Sequence, residues 1–132
     1  MLLEIDYHSG VPIYRQVMRQ IRQQIMTDGL KEGDQLETVR DLAARLKVNP
    51  MTISKAYSFL EAENLVERKR GVGLFVTKVK KSQLTQIKSE LFDNIINKAA
   101  ITAIQLGVSE EQAIEFFKKH YNDYISKQRR QK

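Results

Sequence analysis

The sequence predicts a mainly α fold with one small β-hairpin, followed by a C-terminal hairpin of two helices. Three observations carry that prediction. Apolar residues recur at three- and four-residue spacing in five separate stretches. Two β-prone runs flank a basic, glycine-containing turn near residues 65–77 and nowhere else. A polar, basic stretch at 78–83 separates that turn from the last two helical stretches. The chain has 132 residues, 42% hydrophobic and 29% charged, which suits one ordinary domain with an appendage and a packed core rather than a disordered chain.

The first helix is expected to begin with Pro12 at position N1, where its missing N–H costs nothing. Ile13, Val17, Ile21 and Ile25 follow at four-residue spacing, with Tyr14 and Met18 beside them and Arg15, Arg19 and Arg22 between. This amphipathic pattern runs to about Asp28, and Gly29 ends it. Leu30 to Leu36 reads as a turn segment with room for a short extended piece. Thr38 and Asp41 cap a second helix, whose buried face is Val39, Leu42, Ala43 and Leu46. Lys47 and Val48 make a tight connection. Asn49 followed by Pro50 is a helix start signal, with Ile53, Ala56, Tyr57 and Leu60 facing inward and Asn64 at the end. Residues 65–68 and 74–77 then form the hairpin. The fourth helix carries Leu84, Ile87, Leu91, Ile95 and Ala99 on one face and ends near Gly107. Ser109 and Gln112 match a capping box for the fifth, which aligns Ile114, Phe117, Tyr121 and Tyr124 or Ile125.

Several function classes drop out. Cysteine is absent, so there is no disulfide framework, thiol nucleophile or sulfur-ligated zinc. His8 and His120 lie far apart with few acids nearby, which disfavours a metal site. No Ser-His-Asp set or carboxylate pair has catalytic spacing, and Gly71-Val72-Gly73 lacks the third glycine of a dinucleotide loop. No enzyme activity and no cofactor are expected. The opening MLLEIDYHSG has no apolar run fit for a signal peptide. No stretch of about 18 apolar residues exists to span a membrane. A cytoplasmic location is expected.

The net charge is +6, a mild bias toward a polyanionic partner. Its distribution says more. Arg68, Lys69, Arg70, Lys78, Lys80 and Lys81 fall in one stretch that holds no acid, and the last six residues are basic again. Two short helices a few residues apart, then a hairpin with a basic tip, describe a winged helix-turn-helix. A helix fits the major groove of B-DNA and reads base edges from its N-terminal end. The candidate DNA contacts there are Asn49, Met51, Thr52, Ser54 and Lys55. Arg68, Lys69 and Arg70 can follow the backbone or the minor groove, and Gly71 and Gly73 let the turn approach closely.

These residues also resemble a known family. PIYRQ at 12–16, GLKEGDQL at 29–36, VRDLAARLKVNPMTISKAY at 39–57 and LEAENLVERKRGVGLFV at 60–76 are similar to the DNA-binding domain of GntR-type bacterial transcription regulators. The VNPMT form and the short tail resemble the YtrA-like subfamily. The resemblance implies a dimeric repressor, often linked to a transporter operon. It implies a phosphate or base contact for Arg40, a recognition-helix role for Thr52 and a wing-tip role for Gly71. Three departures from the family pattern matter: Glu37 replaces a proline, Pro50-Met51-Thr52 replaces an Arg-Thr-Thr opening, and Ser54 replaces an arginine. The operator of better-known relatives therefore does not transfer.

The expected domains are 11–78, a winged helix-turn-helix with its helical pair at about 38–63 and its wing at about 65–77, and 79–132, a helical dimerisation or effector region with a basic tail. A two-helix hairpin of this size buries too little surface to stand alone. Ala99, Ala100, Ile101, Ala103 and Ile104 make one segment apolar nearly all round. Burial against a second copy follows, through Leu91, Ile95, Ala99, Phe117 and Tyr121, giving a homodimer on a pseudo-palindromic operator. The tail has no room for a large effector fold, so an unidentified small-molecule effector would bind within the dimer interface or beside the DNA-binding domains. The competing reading is a winged-helix protein-interaction module without specific DNA binding. The basic tip separates the two, since a purely protein-binding domain has no electrostatic need for it.

Overall fold

The computed structural model describes residues 1–131. Its elements are α1 (Ile13–Met26), α2 (Val39–Leu46), α3 (Pro50–Ala62), β1 (Val66–Lys69), β2 (Gly73–Val76), α4 (Lys81–Gln105) and α5 (Glu110–Arg130). Two compact units emerge, Met1–Lys88 and Ser89–Lys132. The fold is mainly α with a small antiparallel hairpin, as the sequence predicts.

The first unit packs three helices around one core. Val17 and Ile21 of α1, Leu42 of α2, Ile53, Ala56 and Leu60 of α3, and Leu65 are fully shielded from solvent. Each large apolar side chain buried this way contributes roughly 1.5–3 kcal/mol. The helix ends differ in detail from the sequence reading. Pro12 is the N-cap of α1 rather than its first residue, because its backbone is extended (ψ 140°) while its carbonyl already accepts from the Arg15 and Gln16 N–H groups. At the other end α1 stops at Met26, and Asp28 (φ 63°), not Gly29, takes the left-handed conformation. Aspartate tolerates that region better than most residues. The Leu30 N–H then bonds back to the Gln24 carbonyl at 3.0 Å.

The caps of α2 and α3 form as their residues dictate. The Thr38 hydroxyl accepts from the Asp41 N–H, and the Asn49 side chain accepts from the Met51 N–H at 2.9 Å. Lys47 turns the chain between the helices at φ 57°, with its N–H directed to the Ala43 and Ala44 carbonyls. Asn64 (φ 60°) follows α3 and lets the chain reverse into β1.

The wing pairs Val66 with Val76 and Lys69 with Gly73 in antiparallel register. Val66, Leu74 and Val76 face the core. The short extended piece before α2 joins this hairpin. Gly33 N–H donates to the Val76 carbonyl, Leu36 N–H to the Leu74 carbonyl, and Val76 N–H to the Asp34 carbonyl.

The unit extends beyond the expected start at residue 11. Residues 2, 4 and 6 are held by glutamine side chains of α1. Gln20 exchanges two bonds with the Glu4 backbone (2.9 and 2.6 Å) and Gln16 two with the Asp6 backbone (2.8 and 2.9 Å). Gln24 donates to the Leu2 carbonyl. Leu3 is buried beneath this arm, and the Tyr7 hydroxyl donates to the Leu46 carbonyl at 2.6 Å. The expected linker 78–83 is also shorter than predicted. Helix α4 begins at Lys81, and Gln83 in its first turn donates to the Glu63 carbonyl while Ile87 is buried. These two contacts extend the packed unit past the 78/79 boundary.

The second unit contains the rest of α4 and α5. Gly107 (φ 71°) reverses the chain between them, and Val108 N–H returns to the Ala103 carbonyl at 2.8 Å. The Ser109–Gln112 capping box is complete in both directions. Phe92 and Phe117 meet edge to face at 6.4 Å, and Phe117 tilts onto Tyr121 at 5.9 Å. Of the expected dimer residues, Leu91 is half-buried, and Ile95, Ala99, Phe117 and Tyr121 are exposed. No helix among the described residues is long and apolar enough to cross a membrane.

Candidate nucleic-acid interface

Helix α3 separates its two faces sharply. Ile53, Ala56, Tyr57 and Leu60 are buried. On the opposite side Met51 is 78% exposed, Ser54 and Lys55 are exposed, and Thr52 is half-buried. Pro50 at N1 and the Asn49 cap fix where this face begins. The Asn49 oxygen is occupied by that cap, so the residue's structural task is to start the helix. Arg40 stands exposed in the first turn of α2.

A bracing network lies behind α3. Tyr57 is buried, and its hydroxyl donates to the Glu37 carbonyl at 2.6 Å. Burial raises its pKa, so the phenol stays neutral and remains a donor. The Glu37 carboxylate takes a two-pronged grip from Arg45, with bonds of 2.8 and 3.1 Å. That hydrogen bonding holds the Glu37 carboxyl below its ordinary value and raises the Arg45 pKa. Glu37, where the family pattern has proline, thus ties the two ends of α2 together.

The three basic wing residues are not equivalent. Strand alternation puts Arg68 on the core side of the hairpin, where it pairs with Glu61 of α3 at 3.4 Å. Lys69 lies on the outer side, its ammonium 4.4 Å from the centre of the Phe75 ring. Arg70 and Gly71 form the exposed tip, and Gly71 takes φ 78° with open space around it. Gly73 is constrained more tightly. A Cβ there would lie 2.8 Å from the Gln35 side-chain nitrogen, which donates to the Val72 carbonyl and braces the tip.

Lys55 and Lys69, both expected contacts, are each laid over an aromatic ring. For Lys55 the ring is Tyr14 of α1, at 4.1 Å, and Tyr14 in turn stacks on Phe59 at 5.7 Å. Sequence reading found the lysines but missed Tyr14, Phe75, Gln35 and Glu61, which hold the basic residues and the tip in place. Tyr14 and Gln35 lie about forty residues from the groups they hold, while Phe75 and Glu61 meet their partners only once the hairpin register and its packing on α3 are set.

The comparisons with known proteins agree with this geometry. Residues 13–76 match the model of the bacterial regulatory proteins, gntR family. The chain is similar to the HTH-type transcriptional repressor YtrA of Bacillus subtilis, 34% identical over 89% of this chain and 90% of that one. A GntR family transcriptional regulator from Listeria monocytogenes superposes with a TM-score of 0.70 at 32% identity, covering 86% of this chain and 98% of that one. The DNA-binding domain of AraR, solved in complex with operator ORX1, superposes with a TM-score of 0.52 at 26% identity over 58% of this chain and 99% of that one. With a winged helix-turn-helix in place and a relative this similar over nearly its whole length, the chain belongs to the GntR family of bacterial transcription regulators and is a DNA-binding protein of the YtrA type.

Proposed function

We propose that the protein is a homodimeric repressor that binds a pseudo-palindromic operator, controlling an operon that includes its own gene and a transporter. The observation that carries this reading is the split character of α3, with one face locked in the core and Met51, Thr52, Ser54 and Lys55 presented outward from a capped N-terminus. In the bound state α3 enters the major groove, and Arg40, with Lys69, Arg70 and Gly71 of the wing, lies along the backbone on either side. Arg68 contributes less, because its guanidinium is turned toward Glu61 of α3. Gly73 acts by permitting the tip.

Residues 89–132 supply the second copy's docking surface. Ile95, Ile101, Ile104, Phe117 and Tyr121 are each about half exposed or more in the single chain. A two-fold pairing would cover them and set two recognition helices about 34 Å or more apart, one turn of DNA. Repression follows by occlusion of the promoter.

Fluorescence anisotropy at about 150 mM salt, where exposed charges are screened, tests this with DNA from upstream of the protein's own gene and a shuffled duplex of equal length. The expected result is a preference of roughly 10³-fold or more for the native DNA. Equal, weak binding to both would refute autoregulation through this site.

A further inference from the structure

Helix α1 packs against α3 within the DNA-binding unit, and its first turn shares a surface groove with the outer face of α3. Tyr14, Met51, Thr52, Ser54, Lys55 and Ser58 line it. The groove is open and carries no acid among its lining residues.

Two features make it more than a gap between helices. Lys55 is not a free surface lysine. Its ammonium sits 4.1 Å from the Tyr14 ring centre, and that ring is held by stacking on Phe59. A long flexible side chain is thereby placed before any ligand arrives, which lowers the ordering cost of binding. The hydroxyls also differ. Ser58 Oγ donates to the Ser54 carbonyl at 2.9 Å, so its proton is spent. The hydroxyls of Tyr14, Thr52 and Ser54 engage no partner among the described residues and can donate. An ammonium placed in advance, with no acid among the groove's lining residues, suits a phosphodiester oxygen, whereas the Thr52 and Ser54 hydroxyls, which both donate and accept, are also fitted to base edges.

We propose that this groove seats a phosphate of the DNA backbone, with Lys55 as the charge and Tyr14 as its positioning residue. Lys55 is then a backbone anchor rather than a base reader, and α1 is part of the DNA-contacting surface. The proposal rests on the DNA-binding reading above and adds which lysine reads nothing. Sequence choice by α3 falls to Met51, Thr52 and Ser54.

A phosphate anchor acts on every duplex alike, whereas a base reader acts only on its own site. The test compares the native upstream duplex with a random duplex, each titrated from low to high salt. Lys55→Ala should weaken both by the same factor and reduce the slope of log affinity against log salt by about one per bound chain. Tyr14→Leu removes the ring and should weaken both about two- to fivefold, as expected for an exposed cation–π contact. Tyr14→Phe keeps the ring and should retain most of the affinity. The pair Lys55→Ala with Tyr14→Leu should be no weaker than Lys55→Ala alone. Loss confined to the native duplex in Lys55→Ala would overturn the proposal, as would additive effects in the double variant. So would a Tyr14→Leu variant that binds as wild type while its circular dichroism shows a folded chain. Wild-type protein that bound neither duplex would instead bring down the repressor reading beneath it.

Discussion

The two compact units handle their apolar residues in opposite ways. Within Met1–Lys88, helices, wing and N-terminal arm all send large side chains into one core, and every fully or nearly buried hydrophobic residue of the described chain lies there. Within the second unit none is buried to that degree, although its helices are no poorer in isoleucine and phenylalanine. Periodicity explains the contrast. On α1 the apolar residues fall on one stripe with arginine and glutamine opposite, so one neighbour covers them. On α4 they spread around the helix near Ala99–Ile104, so no single partner helix can. The first unit completes its own interior. The second leaves its apolar residues exposed in the single chain.

Four expectations would break or sharpen that contrast. The largest concerns the second unit. Replacing Ile95 and Phe117 together by Asp should convert the proposed dimer to monomer at micromolar concentration by light scattering, an affinity loss of about 10²-fold or more for the pairing. The first unit should remain folded. If the variant stays dimeric, the contrast has been misread.

Next is the first core. Leu60→Ala empties a fully shielded site and should cost about 2–5 kcal/mol in urea unfolding. A smaller effect follows from Tyr57→Phe, which leaves the Glu37 carbonyl without its donor and should cost about 1–3 kcal/mol. The smallest is electrostatic. Arg45 holds the Glu37 carboxyl below its usual 4.5, so the folded state favours the charged form. The stabilisation is present above that value and disappears as pH falls through the lowered one. Acid titration of unfolding should therefore show a wild-type loss below about pH 4.5 that Glu37→Gln lacks. Identical acid limbs would remove the pair from the account of α2.

The helix-turn-helix was legible because its signals are local. Thr38 with Asp41, and Asn49 with Pro50, announce two helix starts within a dozen residues, and both caps form. The wing was legible from Gly71, Gly73 and the runs beside them. The N-terminal arm was not, because its backbone bonds go to side chains of α1 rather than to a second strand, so it has neither strand period nor helix period. The one available clue was Gln16, Gln20 and Gln24 at four-residue spacing. The site followed the same rule. Lysines and arginines could be picked from their positions, but which of them is free could not. Arg68 and Lys69 are neighbours in the chain, and strand alternation sends one to Glu61 and the other over Phe75.

The glutamine ladder reads residues 2, 4 and 6 of the arm by their main chain, while Leu3 between them is the side chain that enters the core. Residues 2, 4 and 6 are gripped at backbone N–H and carbonyl groups, and the Leu2 side chain itself stands 87% exposed. What is specified is therefore the reader and not the text. Under random substitution, positions 4 and 6 should accept almost any residue except proline, which lacks the N–H. Positions 16, 20 and 24 should accept little besides glutamine. Among relatives that keep this arm, the letters at 2, 4 and 6 are free to drift while the three amides that hold them and the apolar residue at position 3 stay put.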